Sequence, residues 1–418
     1  MEQKTDSLAG KKLLILGGAV LHCELINTAK RLGVETYVTD YLPADRSPAK
    51  QIADHAWDLN ITAVDAIVER CREEKIDGVL NLYYDPCQRP YQAICEKLGL
   101  PCFGNKEQFE IFTDKKRFLK TCVKYGLDII PQYQEADFEF DNPAIEYPVY
   151  VKPSDSRASR GQSVCRCYAE AAPAIEKARC ESRNGEVVIE RFLSDALNMQ
   201  LTLLMVDGQL HIENMIEEYK GEKGFSSVSI CSLAPSPHRP FLERAVIPKI
   251  RDMLTALGIR NSPVFIQGFL DGDCFRAYDP GLRFPAIMFE EIMKAETGLD
   301  MHEAMIRFAM SGRFPAWLHE TDACSQINGK ILANMAVFVR AGVISQICGL
   351  DTIREKWKPA YTAFRMSIGD RVENWHDFRQ YCCEIQIPCR DLDEVKTAFN
   401  EVYQALQVLD ENGEDMKI

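Results

Sequence analysis

The stretch VYVKPSDSRASRGQSV, residues 149–164, joins a strand-like segment to a loop of small and polar residues. Its first three residues favour a pleated strand, and Lys152 and Pro153 end that strand. The ten residues from Ser154 to Ser163 contain too many turn-forming types for a helix. A surface hairpin explains this pattern, and so does a functional loop that follows a lysine, so the stretch alone leaves both interpretations open.

Length and composition limit the class of protein. A chain of 418 residues predicts two or three domains, and 46% apolar with 27% charged residues is typical of a globular protein in water. The longest apolar runs are too short to span a membrane, and the N-terminus lacks the apolar core of a signal peptide. The net charge of −13 argues against a nucleic-acid partner. We therefore expect a cytoplasmic protein with neither membrane nor nucleic-acid partners.

The sixteen cysteines and seven histidines do not form a recognisable metal or redox motif. No C-x-x-C and no H-E-x-x-H occurs, and the closest cysteine spacings do not suit a structural zinc site. Without a secretory signal, reduced thiols are expected. We interpret the cysteines as buried, inert side chains.

The first hundred residues alternate short apolar strands with amphipathic helices, starting at Lys12. This alternation predicts a parallel sheet in an α/β domain. Gly17 and Gly18 follow the first strand, and Asp40 follows the second, but the pattern G-x-G-x-x-G is not met. The turn is interpreted as a plain tight turn or a substrate-side anion pocket, and an NAD site is disfavoured.

The middle of the chain begins with a capped helix, TDKKRFLKTCVKYGLDIIPQY. Thr113 or Asp114 is the expected N-cap and Gly126 the expected end. Lys115 falls in the first turn, where a cation is badly placed for the helix dipole, so it is either solvated or has another role. The elements predicted next are a helix at 169–182, a strand at 186–193, a hairpin at 199–214, an irregular active-site cover at 217–240, a helix at 241–257 and a hairpin at 264–284. From about Phe314, short strands and a closing helix predict a smaller β-rich unit.

The order of these features resembles the ATP-grasp superfamily, most closely its carbamoyl-phosphate-synthase-like, carboxylate–amine ligase branch. The motifs that carry the resemblance are DKKRFLKTCVKYGLDIIP, YPVYVKPSDSRASRGQSV, VVIERFL, YDPGLR and GDRV. They extend over nearly the whole chain. The resemblance implies an α/β fold with a Rossmann-like pre-ATP-grasp domain at 1–112, an ATP-grasp domain of two α+β subdomains at 113–312, and a small β-rich C-terminal unit at 313–418.

The resemblance also implies a nucleotide site, with ATP between two antiparallel sheets. Two lysines would contact the phosphates, and a loop would fold over them, with Arg160 as a further catalytic charge. A strand-end carboxylate would accept from the adenine amino group, next to a backbone segment along the base. The nucleotide-binding residues implied in this way are Lys115, Lys152, Ser159, Gly161, Glu190, Arg191, Leu193 and Asn198. Asn198 stands where relatives carry a ribose-binding glutamate.

The implied Mg²⁺ site departs from the family pattern. Relatives have an acidic residue on one strand and E-x-N about a dozen residues later, whereas this chain has Gln267, Asp279 and Gly281. Gln267 and Asp279 are the candidate metal ligands, although an Asp-Pro turn is a competing explanation for Asp279. Arg283 is retained and would hold the acyl phosphate or the transferring phosphoryl group.

The function that this resemblance implies is ATP-dependent ligation. A carboxylate would be phosphorylated to an acyl phosphate and joined to an amine, with release of ADP and phosphate. No P-loop or G-x-S-x-G motif competes with this interpretation. The alternatives are an ATP-binding sensor or subunit with little catalysis and, less favoured, an NAD-dependent oxidoreductase. The expected partners are small carboxylate and amine substrates, with a homodimer as the expected assembly.

Overall fold

A computed structural model describes residues 7–154, 161–182, 185–194, 196–220, 229–285, 294, 298–319, 329–374 and 378–418. Ser159 and Arg160, two of the predicted site residues, lie outside these ranges. Among the described residues, no helix has both the length and the apolar character that crossing a membrane requires.

The N-terminal part contains a parallel sheet with helices packed against it, as the alternating pattern predicts. Its strands are β1 (Lys12–Leu16), β2 (Glu35–Thr39), β3 (His55–Trp57) and β4 (Gly78–Leu80), in the order β3-β2-β1-β4. Its helices are α1 (Cys23–Arg31), α2 (Pro48–Ile52), α3 (Val64–Glu74) and α4 (Gln88–Leu98). β1 and β2 are buried almost throughout, as expected for a parallel sheet covered on both faces.

The glycine pair after β1 forms a tight turn. Gly17 has a φ of +120°, and the Gly18 N–H donates to Asp40 Oδ2 at 2.9 Å. The Ser47 hydroxyl donates to the Gly18 carbonyl at 3.2 Å. A carboxylate therefore takes the amide that an anion would need, and the geometry supports the tight turn rather than an anion pocket.

Two helices lead from this part to the rest of the chain: α5 (Lys106–Thr113) and α6 (Lys115–Lys124). Thr113 is the last residue of α5, so the N-cap of α6 is Asp114, whose side chain accepts from the Arg117 N–H at 3.1 Å. Lys115 is thus the first helical residue. Gly126 follows the helix with a φ of +72°, a conformation that glycine adopts readily.

A small antiparallel sheet contains the stretch quoted first. Its strands are β6 (Gln132–Tyr133), β7 (Val149–Pro153), β8 (Ser163–Cys165) and β9 (Val187–Arg191), in the order β6-β9-β7-β8, with β5 (Asp128–Ile129) preceding them in the chain. Val149 and Val151 are buried with α7 (Tyr168–Glu181), whereas Lys152 projects from the other face. Since β7 pairs antiparallel with β8, both ends of the stretch belong to this sheet, and β7 presents a lysine away from the local core.

The central sheet is larger and mostly antiparallel. Its long strands are β10 (Leu197–Val206), β11 (Gln209–Lys220), β12 (Ser229–Ala234), β13 (Ser262–Asp271), β14 (Cys274–Gly281) and β15 (Ile331–Phe338). The later strands are β16 (Gly342–Val343), β17 (Gln346–Cys348), β18 (Tyr361–Phe364), β19 (Arg371–Val372), β20 (Tyr381–Cys389) and β21 (Gln407–Leu409). The order in the central sheet is β18-β20-β15-β12-β11-β10-β13-β14-β5, while β16 pairs with β19 and β17 with β21. The remaining helices are α8 (Arg239–Ala245), α9 (Ile247–Ala256), α10 (Met301–Ser311), α11 (Leu350–Trp357) and α12 (Leu392–Ala405).

Two sequence expectations were wrong in this region. The segment 217–240 is not irregular throughout, because β11 continues to Lys220 and β12 pairs with it; residues 221–228 lie outside the described ranges. The helix expected at 241–257 is two helices, α8 and α9. Pro248 lies in the first turn of α9, and a proline disfavours helical continuation through the residue before it. The predicted domain boundaries stay predictions; the central sheet takes strands from both sides of residue 313.

The central sheet has two chemically different faces. One face, which we call the core face, carries apolar side chains such as Met199, Leu201 and Leu233, which belong to buried hydrophobic clusters. The opposite face, which we call the polar face, carries Asn198 and Gln200 on β10 and their cross-strand neighbours. Residues directly opposite each other in a sheet project to the same face, so the register identifies the rest of the polar face.

Candidate active site

Two lysines from different elements meet carboxylates in one cavity. The Lys152 ammonium, at the end of β7, donates to the Glu190 carboxylate on β9. Lys115 Nζ, at the start of α6, lies 3.1 Å from Asp279 Oδ1 on β14. Lys115, Lys152, Glu190 and Tyr278 line the same cavity between the small sheet and the central sheet. The structure therefore brings together four predicted site residues: Lys115, Lys152, Glu190 and Asp279.

These ion pairs lie in a narrow cavity between the sheets. The cavity that the two lysines line has a volume of only about 20 Å³, roughly enough for one water. Burial alone would lower the pKa of Lys115, but the charge of Asp279 and its hydrogen bond raise the pKa above its ordinary value. Each lysine can exchange its carboxylate partner for the oxygens of a polyphosphate.

The candidate metal ligands lie in a row across the central sheet, which we call the metal row. Asp279 on β14 is directly opposite Gln267 on β13, which is directly opposite Gln200 on β10. Asp279 is the single carboxylate in this row of described residues. The part of the chain that the structure describes holds no group of three His, Cys, Asp or Glu side chains able to bind a metal ion. The residues fit a Mg²⁺ ion that takes most of its ligands from phosphate and water, with Asp279 as the anionic protein ligand.

The missing side chain at Gly281 has a steric explanation. A Cβ built at Gly281 would lie 3.0 Å from Cγ and 3.2 Å from Nε of Arg283, whose stem folds back across this position. The Arg283 guanidinium lies 4.7 Å from the centre of the Phe265 ring, and its Nη1 donates to the Phe284 carbonyl at 2.9 Å. The glycine thus makes room for the arginine that the family pattern retains.

The residues predicted to contact the adenine lie at the end of β9 and just beyond it. Glu190 is buried, and the two terminal nitrogens of Arg191 lie 3.2 Å from Glu146 and 3.7 Å from Asp271. Leu193 is the second residue after this strand and is half-buried. These positions agree with an edge that could accept a base, but the contacts themselves stay predictions.

Gly161, the one described residue predicted to bind phosphate from the loop, has a φ of +72°. A Cβ at this position would lie 2.8 Å from Cγ of Pro153. The backbone conformation and the close approach to the end of β7 both favour glycine.

Sequence reasoning missed a buried carboxylate next to the site. Asn198 and Gln200 both donate their side-chain N–H groups to Glu218 on the neighbouring strand β11. The Tyr278 hydroxyl donates to Asn198 Oδ1 at 2.8 Å, which links this group to the lysine-lined cavity. Burial raises the pKa of Glu218, against the opposing effect of its two amide donors. The alternation of β11 is the sequence signal that could have found Glu218.

Comparisons with known proteins agree with this architecture. No family model matches the chain. It is 26% identical over 268 residues to a formate-dependent phosphoribosylglycinamide formyltransferase of Prochlorococcus marinus (strain MIT 9515), covering 62% of this chain and 67% of that protein. It is 25% identical over 284 residues to the carbamoyl phosphate synthase large chain of Xylella fastidiosa (strain 9a5c), covering 63% of this chain and 26% of that protein. A crystal structure of L-amino acid ligase from Bacillus licheniformis has a TM-score of 0.79 at 19% identity, covering 97% of this chain and 100% of that one.

Two sheets that enclose a lysine-lined cavity, together with these relatives, define the class. The chain is similar in sequence to ATP-dependent carboxylate–amine ligases of the carbamoyl-phosphate-synthase-like branch, and its fold is that of the ATP-grasp superfamily. The family and fold class predicted from the sequence are confirmed. The matches span 67%, 64% and 26% of the first three curated relatives, so the activity of this chain is a matter for proposal.

Proposed function

We propose that this protein is an ATP- and Mg²⁺-dependent ligase that activates a carboxylate as an acyl phosphate and joins it to an amine. The observation that carries the proposal is the convergence of Lys115 and Lys152, from separate elements, on one cavity beside Asp279. Two ammonium groups at close range can neutralise polyphosphate charge, which is the main requirement for phosphoryl transfer without a protein nucleophile.

In the first step, an oxygen of the carboxylate attacks the γ-phosphorus of ATP, the bond to the β-phosphate oxygen breaks, and ADP leaves. In the second step, the amine nitrogen attacks the acyl carbon, phosphate leaves, and the nitrogen loses a proton. Mg²⁺ supplies charge stabilisation of the phosphates when bound. Lys115 and Lys152 would bind the phosphates. Asp279 and Gln267 would hold Mg²⁺, and Arg283 would bind the phosphoryl group that is transferred.

The remaining predicted contacts belong to the same proposal. The loop residues Ser159, Arg160 and Gly161 would close over the phosphates. The adenine would meet Glu190 and the backbone from Arg191 to Leu193, with Asn198 close to the ribose. We also retain the predicted domain boundaries, a homodimer and a cytoplasmic location; the free thiols of the described cysteines are typical of a reducing compartment.

A second candidate function is an ATP-binding sensor or subunit with little catalysis. Two observations favour it: the metal row has a single carboxylate among the described residues, and both lysines already pair with carboxylates. Because the lysines and Arg283 are present, we rank it below the ligase.

One screen tests both candidates. Pairs of carboxylates and amines are incubated with MgATP, and ADP, AMP, phosphate and pyrophosphate are measured. The ligase requires ADP and phosphate release that depends on both substrates. ATP binding without turnover for any pair supports the sensor, whereas AMP and pyrophosphate would demonstrate an adenylate intermediate and contradict the proposed mechanism.

A further inference from the structure

The polar face of the central sheet contains buried polar atoms without hydrogen-bond partners among the described residues. Four residues next to the predicted phosphoryl-transfer site carry such atoms: Gln200 at Oε1, Thr202 at Oγ1, Asn214 at both amide atoms, and Arg283 at Nε, which forms only an ion pair with Asp85 Oδ1 at 3.7 Å. Asn334 and Gln386, farther along the same face, carry three more. The four residues are exposed by only 4%, 3%, 3% and 9%, so bulk water does not satisfy these atoms. We call Gln200, Thr202, Asn214 and Arg283 the unsatisfied cluster.

The sheet register places this cluster beside the predicted phosphoryl-transfer site. Thr202 on β10 is directly opposite Asn214 on β11 and directly opposite Phe265 on β13. Phe265 is the residue whose ring lies against the Arg283 guanidinium. Thr202 projects to the same face as Gln200, about 6.8 Å along the strand. Since Gln200 belongs to the row of Gln267 and Asp279, the cluster begins at that row and extends toward Arg283.

Such an arrangement is unfavourable for folding alone. Each buried donor or acceptor without a partner costs roughly 1–3 kcal/mol, so a sheet selected only for stability would carry apolar residues here. Four neighbouring residues with such atoms beside the predicted site indicate groups that are kept for a ligand.

We infer that the unsatisfied cluster binds the carboxylic acid substrate, and that this acid carries a hydrogen-bond donor next to its carboxylate, as an α-amino or α-hydroxy acid does. The inference rests on the proposed function. A carboxylate only accepts hydrogen bonds, and the cluster offers donors to it from Arg283 Nε, the Thr202 hydroxyl and the Asn214 amide N–H.

We infer a hydrogen-bond donor next to the carboxylate of the acid because two acceptors of the cluster have no donor among the described residues. Gln200 Oε1 and Asn214 Oδ1 need a donor, and a simple acid such as formate or acetate has none to offer. A site built to bind a donor discriminates strongly against the analogue that lacks it, because its own polar groups then stay unpaired. The preference for an adjacent donor is therefore a measurable property of this cluster.

The test uses ligands that differ only at this donor. Propionate, lactate and alanine form one set, and 3-phenylpropionate, phenyllactate and phenylalanine form a second. Affinity is measured by calorimetry on the full chain with saturating MgADP. The wild type should bind the α-hydroxy or α-amino acid of one set at least about tenfold more tightly than the unsubstituted acid. Thr202→Val and Asn214→Leu should each remove most of this preference and leave MgADP affinity unchanged.

Stability without ligand separates this role from a structural one. Thr202→Val replaces an unsatisfied hydroxyl by a methyl group, so its melting temperature should equal or exceed that of the wild type. The matched control is Thr36→Val: the Thr36 hydroxyl donates to Asp54 Oδ2 at 2.7 Å, so this variant should lose stability and keep the acid preference. If Asn214→Leu does not fold, the acid preference and the melting temperature of Thr202→Val alone test the inference.

Three results overturn the inference: a wild type that binds MgADP but none of the six acids, equal affinity for substituted and unsubstituted acids, or a Thr202→Val variant destabilised as much as Thr36→Val. A wild type that fails to bind MgADP overturns the proposed function instead. The two failures are thus distinguishable.

Discussion

Two adjacent glutamates on β11 show how differently the faces of the central sheet are built. Glu217 projects to the core face and lies within hydrogen-bond distance of three groups: the Ser236 hydroxyl at 2.8 Å, His238 Nδ1 at 2.9 Å and the Tyr219 hydroxyl at 2.8 Å. Glu218 projects to the polar face, where only the amides of Asn198 and Gln200 donate to it among the described residues.

The difference separates polar groups that stabilise the fold from polar groups that are kept for ligands. On the core face, a buried carboxylate is surrounded by donors, as buried charges in stable proteins generally are. On the polar face, the side chains of Gln200, Thr202 and Asn214 leave atoms unpaired. A protein that tolerates this cost beside the predicted site is expected to recover it on binding.

The largest expected effect concerns the polar face at Asp279. Asp279→Asn removes the single carboxylate of the metal row, so turnover should fall roughly 100-fold or more, while nucleotide binding stays nearly unchanged. Turnover is measured as ADP release at limiting Mg²⁺, and nucleotide affinity by calorimetry. Glu217→Gln, on the core face, is the control and should keep its turnover per folded molecule. Near-normal turnover of Asp279→Asn would make Asp279 a turn former and move the metal elsewhere.

The next effect is on stability and should appear on the core face. Glu217→Gln weakens three hydrogen bonds to a buried charge, so the free energy of unfolding should fall by roughly 3 kcal/mol. Glu218→Gln should change it by less than about 1 kcal/mol, because burial already penalises that charge. Urea denaturation measures both variants. Equal losses would remove the distinction between the two faces.

A smaller effect is expected for the strand that faces the central sheet. Lys152→Ala should weaken ATP binding by roughly 1.5–3 kcal/mol through loss of a charge-assisted phosphate contact. Lys97→Ala is a matched control, because its half-exposed ammonium pairs with Asp65 outside the lysine-lined cavity and such pairs contribute little. Calorimetry that gives Lys152→Ala the ATP affinity of the wild type would exclude Lys152 from the site.

The features that could be predicted from the sequence are those with local signals. Lys115 and Lys152 were recognisable because a capped helix and a strand end fix their positions within a few residues. Glu218, Thr202 and Asn214 were not, because their significance depends on which strands lie side by side and in which register. Treating 217–240 as irregular also concealed the alternation that separates Glu217 from Glu218. Gly281 looked like a lost metal ligand, since sequence cannot show that Arg283 folds back over it.

The smallest expected effect is a pH dependence at Glu218. Burial raises its pKa above the ordinary value of 4.5, so over a range of pH above 4.5 the folded protein keeps a proton that the unfolded chain has released. Where the folded state binds more protons, stability falls as pH rises, and the fall ends once pH exceeds the folded pKa. Glu218→Gln removes this titration. Its free energy of unfolding relative to wild type should therefore rise as pH increases above 4.5, until pH exceeds the folded pKa of Glu218. Parallel profiles for wild type and variant in urea titrations would mean that Glu218 carries its charge as readily as a solvated carboxylate, and that the polar face imposes no penalty for a ligand to relieve.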